Sequence, residues 1–336
     1  MRNKIIVLLI LGLTVAAGIS SYVGRGWAAR ALENGPFVVE IKAEPIALNQ
    51  ENPAVNRVGE LSYVAGWALS SDNDDFGGWS ALALEKGAKS ILLLSDKGDW
   101  LQTALDLKGD KPLGIGRLYL FEKGARGRDK SDYDAESLVR LGETGFLVGF
   151  EQEHRILEVE RVGGPNRPAP VNDLVDLSVL SGNGGIEAMT MLPTGKLVMF
   201  AERGLDQQNT LPVWIANEKS VETRRFRPPS NYSPTDAATL PNGDILLLLR
   251  HYSQLDGVSV KVMHLSADEV ASGQTLVGRE LAHLADPLSV DNMEALDIEV
   301  LEDGMVRLYM MSDDNFNPLQ RTLFMVFDWH VPQSLR

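Results

Sequence analysis

The sequence of 336 residues has no cysteine, which excludes disulfides, thiolate metal sites and a cysteine nucleophile. Basic residues are also scarce, 32 against 46 acidic ones, for a net charge of −14. A chain so poor in Lys and Arg is unsuited to neutralising phosphates, so no nucleic-acid partner is expected. The five histidines lie at no metal-ligand spacing, and no glycine-rich phosphate cradle opens a helix. What is present, 44% hydrophobic and 23% charged residues, is globular and too apolar for disorder.

The N-terminus reads as a targeting segment. Arg2 and Lys4 precede an apolar run from Ile5 to Ile19, and Ala29-Arg30-Ala31 offers a small-x-small cut site. The run is short for a membrane span, which needs about 20 residues. Residues 1–31 are therefore expected to be a signal peptide or an N-terminal membrane anchor, the only membrane contact foreseen. The rest, 32–336, is expected as one exported domain, periplasmic or secreted, and monomeric. It carries 46 acidic and 28 basic residues, a net charge of −18.

Beyond Leu32 the pattern is of short apolar runs separated by turn residues. Five segments look alike: Ser80–Leu84 leading to Ile91–Asp96, Glu136–Val139 to Phe146–Glu151, Glu187–Met191 to Leu197–Glu202, Asp236–Leu240 to Ile245–Arg250, and Glu294–Ile298 to Val306–Asp313. Pro193-Thr194-Gly195, Pro241-Asn242-Gly243-Asp244 and Glu302-Asp303-Gly304 supply hairpin turns between the runs. A period of about 50 residues with four candidate strands each predicts an all-β fold, a β-propeller of four-stranded blades. Five repeats are counted directly. Phe37–Ile41 and the leftover length leave room for a sixth blade, and Leu61–Leu69 is a candidate N-terminal strand to close the ring. The alternative is a β-sandwich or two smaller β domains, with Gly163–Pro170 as linker; in the propeller that stretch reads as a loop.

Hairpin geometry sets the start of the first strand of a repeat beside the end of the second. The expected pairs are Ser80 with Asp96, Glu136 with Glu151, Glu187 with Glu202, Asp236 with His251, and Glu294 with Asp313. All ten would surround one mouth of the channel, and eight are carboxylates. Such a cluster needs a counter-charge, either an arginine (Arg203, Arg250 and Arg321 are the candidates) or a hard cation with oxygen ligands such as Ca²⁺. Alternatively, the carboxylates accept backbone hydrogen bonds and hold the blades together. Asp72–Asp75 reads as a solvated turn, whereas Asp313-Asp314-Asn315 continues an inner strand. Gly78-Trp79-Ser80-Ala81-Leu82 lacks the final glycine of a nucleophile elbow. His251 alone of the histidines falls at a mouth position, where it could act as general acid or base.

Several of these segments carry a family likeness. Phe76–Leu82, Leu94–Trp100, Asp134–Leu138, Gly185–Met189, Asn292–Leu296 and above all Ser312–Thr322 resemble the phytase-like domain family, described as having esterase-like activity of phytase. The resemblance implies an exported bacterial propeller related by name to phosphomonoester hydrolysis, with calcium at an acidic mouth in the β-propeller phytases. Ala81 stands where the family pattern has glycine, which argues further against a serine esterase.

The function expected is an exported, metal-assisted hydrolase of a phosphate ester or other small-molecule ester. Glu136, Glu187, Asp236, Glu294 and Asp313 are the expected Ca²⁺ ligands, and Glu187, Glu294 and His251 the catalytic residues. Arg203, Arg250 and Arg321 would bind substrate. The alternative is a non-catalytic propeller that binds a ligand or protein partner in the cell envelope.

Overall fold

A computed structural model describes residues 36–332 apart from 86, 110, 121–133 and 181–183. The expected targeting segment lies outside the described residues. Four strands precede the first repeat: β1 (Phe37–Glu40), β2 (Lys42–Pro45), β3 (Arg57–Val58) and β4 (Leu61–Ser70). Five antiparallel blades follow. Blade 1 is β5 (Trp79–Leu84), β6 (Ser90–Ser95), β7 (Trp100–Ala104) and β8 (Ile115–Tyr119), and blade 2 is β9 (Ala135–Leu141), β10 (Gly145–Phe150), β11 (Arg155–Val159) and β12 (Asn166–Pro168). Blade 3 is β13 (Ile186–Met191), β14 (Leu197–Ala201), β15 (Leu211–Asn217) and β16 (Ser220–Phe226). Blade 4 is β17 (Ser233–Thr239), β18 (Ile245–Ser253), β19 (Gly257–Leu265) and β20 (Arg279–Leu284), with the short helix α1 (Ala267–Ala271) between its last two strands. Blade 5 is β21 (Met293–Val300), β22 (Val306–Ser312) and β23 (Thr322–Trp329), completed by β4.

The second strand of each blade reads as an unbroken apolar run, such as Ile245–Leu249, because both faces of a blade are covered. Alternate residues serve opposite neighbours. Leu82, Leu84, Ile91 and Leu93 pack against blade 5, whereas Ala81, Ala83, Leu92 and Leu94 pack against blade 2. The described residues therefore form five hydrophobic cores, one in each cleft between adjacent blades. The five innermost strands β5, β9, β13, β17 and β21 adjoin one another around the axis. Close to the axis the clefts narrow, and small residues such as Ala81, Ala188, Ala237 and Ala295 fill them; Phe226 and Trp329 fill them further out.

The ring closes as a composite blade, with Thr322↔Leu69 through Trp329↔Leu61 pairing the two ends of the chain. That covers the edge of β23 that would otherwise end the last blade. Two expectations change. Phe37–Ile41 founds no sixth blade, since β1 pairs with β8 on the outer edge of blade 1. Gly163–Pro170 is neither linker nor plain loop, since it holds β12, which pairs with β11.

Candidate functional site

Every blade carries the same irregularity. The ladder between its first two strands shifts at one residue of the innermost strand, leaving Ser80, Glu136, Glu187, Thr235 and Glu294 without a partner in register. A bulge of this kind re-aims one side chain, and repeated five times it makes a ring. The residues opposite the bulges are set by the same ladders. Asp96, Glu151, Glu202 and Asp313 donate their amides to Gly78, Asp134, Gly185 and Asn292 at the start of their blades, and Arg250 pairs with Ser233.

The fourth repeat thus differs from the sequence expectation by one residue. Its bulge residue is Thr235, not Asp236, and the opposing residue is Arg250, not His251. The Asp236 carboxylate accepts hydrogen bonds from the amides of Leu296 (2.7 Å) and Ala237 (2.8 Å), which ties blade 4 to blade 5 away from the cluster. Burial pushes its pKa well up in spite of those two amides. His251, one residue beyond Arg250, takes the opposite face of β18 by strand alternation. Its Nδ1 lies 2.9 Å from the Asn231 carbonyl oxygen and its ring lies against Tyr232. The ten ring positions therefore hold seven carboxylates, one guanidinium and two hydroxyls.

The carboxylates divide into two sets. On the side of blades 2 and 3, oxygens of Asp134, Glu136 and Glu151 lie within 4.8 Å of one another, as do those of Glu151, Glu187 and Glu202, so Glu151 belongs to both groups. Burial and mutual repulsion hold Glu136 and Glu187 protonated well above the ordinary carboxylate range. Burial with the charges of Asp134 and Glu202 raises Glu151 to about 7, although Arg203 and the Gly185 amide pull it down. This donor set, all hard oxygen and short of positive charge, fits a hard divalent cation.

The second set belongs to blades 4 and 5. Arg250 Nη2 lies 3.3 Å from Glu294 Oε1, and Asn292 Nδ2 donates to the same oxygen at 2.9 Å. Burial and the Glu294 charge push the Asp313 carboxyl well up, and burial raises Glu294 in spite of Arg250 and Asn292 beside it. Arg203 pairs with Glu202 at 2.7 Å on the rim, and Arg321 reaches Asp291 at 3.6 Å.

Blade 1 contributes little chemistry. Ser80 is 1% exposed, and its Oγ faces the Gly78 carbonyl at 3.4 Å. The Asp313-Asp314-Asn315-Phe316 segment fastens blade 5 to blade 1. Asp314 accepts from the amides of Gly78 (2.9 Å) and Phe316 (3.0 Å) and from the Thr322 hydroxyl (2.8 Å). Gly78 has φ +64°, and a Cβ there would lie 2.4 Å from the Phe316 ring. The turn Asp72–Asp75 is closed by the Asn73 side chain, with Asp72 paired to Lys42 on the surface.

Fold and ring together define the class: a five-bladed propeller whose channel mouth is lined by carboxylates. Residues 74–316 match the family described as "Phytase-like: Esterase-like activity of phytase", and the chain belongs to that family. Solved structures similar to it include a protein assigned to the gluconolactonases by family, 13% identical over 85% of this chain and 92% of that one, with a TM-score of 0.42. Another is the Cps50 (Swd1) β-propeller domain of Myceliophteria thermophila, 8% identical over 87% and 100%, TM-score 0.39. A third is a hypothetical protein from Leishmania major, 9% identical over 77% and 87%, TM-score 0.45. No curated protein matches the chain.

Proposed function

We propose that this chain is an exported hydrolase that cleaves a phosphate ester or other ester at the acidic mouth with the help of a divalent cation, Ca²⁺ by the hardness of its donors. The observation that carries this is the double carboxylate cluster meeting at Glu151. Asp134, Glu136, Glu151, Glu187 and Glu202 would hold the cation. This set keeps Glu136 and Glu187 from the sequence reading, gives up Asp236, and sets Glu294 and Asp313 apart for another task. A cation bound there would offset the charge on a substrate oxygen and acidify a bound water.

The remaining residues act around it. The Glu294–Asp313 pair retains a proton inside the mouth and can pass it to a departing alkoxide. Arg250, held between Glu294 and Glu187, orients an anionic oxygen of the substrate, with Arg203 and Arg321 at the rim. The test is hydrolysis of p-nitrophenyl phosphate, phytate and p-nitrophenyl carboxylic esters by the purified chain, with Ca²⁺ and with chelator. Calcium-dependent turnover of any of them supports the reading. A folded protein that turns over none of them is a binding propeller instead.

A further inference from the structure

The loops around the mouth are unequal. Strand direction places the connection between the second and third strands of every blade on the mouth face. In blades 1 and 2 these connections are short, residues 96–99 and 151–154, whereas blades 3 and 5 use residues 202–210 and 313–321. In blade 4, β18 and β19 run on as a long hairpin from Ile245 to Leu265. These three longer connections carry four large apolar side chains open to solvent: Leu205 (57% exposed), Tyr252 (61%), Leu255 (96%) and Leu319 (90%). None supports the fold, and all stand on one side of an acidic ring.

We infer that the substrate of the mouth is an amphiphilic ester, whose apolar group lies on the tips over blades 3–5 while its polar ester group enters the ring. The inference rests on the hydrolase reading and names its substrate class. Two features argue for it over a polyanion. The ring offers one guanidinium among seven carboxyl groups, so a multiply charged anion finds few cationic partners there. The exposed tips stand on the same face as the ring, on the connections of three successive blades, where an apolar group bound to the substrate would cover them. Of the other strongly exposed apolar residues, Val38 and Ile115 lie on the outermost strands of blade 1, and Val179 (57%) lies in the connection from blade 2 to blade 3.

The experiment compares the full chain with a variant carrying Leu205→Ser, Tyr252→Ser, Leu255→Ser and Leu319→Ser. Both are assayed on p-nitrophenyl acetate, butyrate and octanoate, and titrated with the methyl and octyl ethers of p-nitrophenol, which cannot be hydrolysed. Each methylene laid on the tips tightens binding by up to about fourfold. The unmodified chain should therefore favour the octyl ether and the octanoate through KM. The variant should lose that preference and keep its activity on acetate. Equal binding of the two ethers, or a preference unchanged in the variant, overturns the inference. So does finding that the four residues mediate a concentration-dependent dimer or adsorption to phosphatidylcholine vesicles rather than ether binding. Absence of turnover with tip-dependent binding of the octyl ether sinks the hydrolase reading and leaves the ligand class standing.

Discussion

Arg250 Nη2 lies 3.3 Å from Glu294 Oε1, in the blade 4 position that blades 1, 2, 3 and 5 fill with a carboxylate. The pair sets a cation into a ring that would otherwise be wholly acidic or hydroxyl. Glu294, Glu187, Glu202 and Asp313 all favour its charged form. Arg250→Gln leaves those carboxylates uncompensated, and removing one partner of a buried pair costs about 3–5 kcal/mol. Urea unfolding at pH 8 should show a loss near the lower end of that range. At pH 5 the loss should be smaller, because the carboxylates then take up protons instead. An equal loss at both values would mean that Arg250 acts through packing alone.

The metal-free protein should become less stable as pH rises through the neutral range. The Glu151 carboxyl titrates at about 7 in the fold against 4.5 ordinarily, and Asp297 at about 6 against 3.8. Between those limits the folded state binds more protons than the unfolded one, so the stability they contribute is present at low pH and is lost as pH rises. Glu136 and Glu187 shift in the same direction. Thermal midpoints measured with chelator should fall from pH 5 to pH 8. Added Ca²⁺ should restore the midpoint at pH 8 and do little at pH 5, where protons compete for the same oxygens. A chelated protein that is most stable at pH 8 would contradict the crowding of these groups.

The segment Ser312–Thr322 is a fastening between the last blade and the first. Asp314→Ala strands the amides of Gly78 and Phe316 and the Thr322 hydroxyl. Each buried donor left unsatisfied costs about 1–3 kcal/mol, and the Phe316 bond also helps hold Asn315 and Phe316 in left-handed backbone, φ 49° and 48°. Gly78→Ala should be comparably harmful, since its Cβ would meet both the Phe316 ring and the Asp96 carboxylate. Denaturation of the two variants should show losses of about 2–4 kcal/mol. Values within 0.5 kcal/mol of the parent would show that the segment is not a fastening.

Much of this was legible in the sequence for a physical reason. A blade covered on both faces needs an apolar run with no alternation, and Ile91–Leu94, Leu197–Ala201 and Ile245–Leu249 recur at blade spacing. Leu61–Leu69 could be assigned to closure because the fifth repeat lacked a strand. The ring register was less legible. Asp236-Ala237 imitates Glu187-Ala188 and Glu294-Ala295, but Thr235 takes the bulge. The second strands held the signal that corrects this: Asp96, Glu151, Glu202, Arg250 and Asp313 each follow Ile91, Phe146, Leu197, Ile245 and Leu308 by five residues. Asp134 was visible two residues before Glu136, but its approach to Glu151 is a product of the hairpin and appears only in three dimensions.

Ser80 offers a negative control for the chemistry. It is 1% exposed at its bulge and is within reach of the Gly78 carbonyl, with no histidine among its described partners. A nucleophilic serine requires an adjacent base. Ser80→Ala should therefore leave kcat/KM within about twofold, where loss of a true nucleophile costs orders of magnitude.

Glu151→Gln gives the sharpest separation of roles, because its two expected effects have opposite signs. Glu151 is the one carboxylate common to both cation-compatible groups. Neutralising it removes a ligand from each, and the effect on Ca²⁺ affinity should exceed the 10–100-fold that a mere supporting partner of a metal ligand costs. The same change deletes a charge that raises the pKa of Glu136 and Glu187. With chelator at pH 8 the variant should therefore be more stable than the parent, while the gain in midpoint on adding Ca²⁺ should largely vanish. Calorimetric titration and thermal scans of the same samples measure both. A variant that loses stability with chelator would show that Glu151 holds the blades together and does not belong to a cation site.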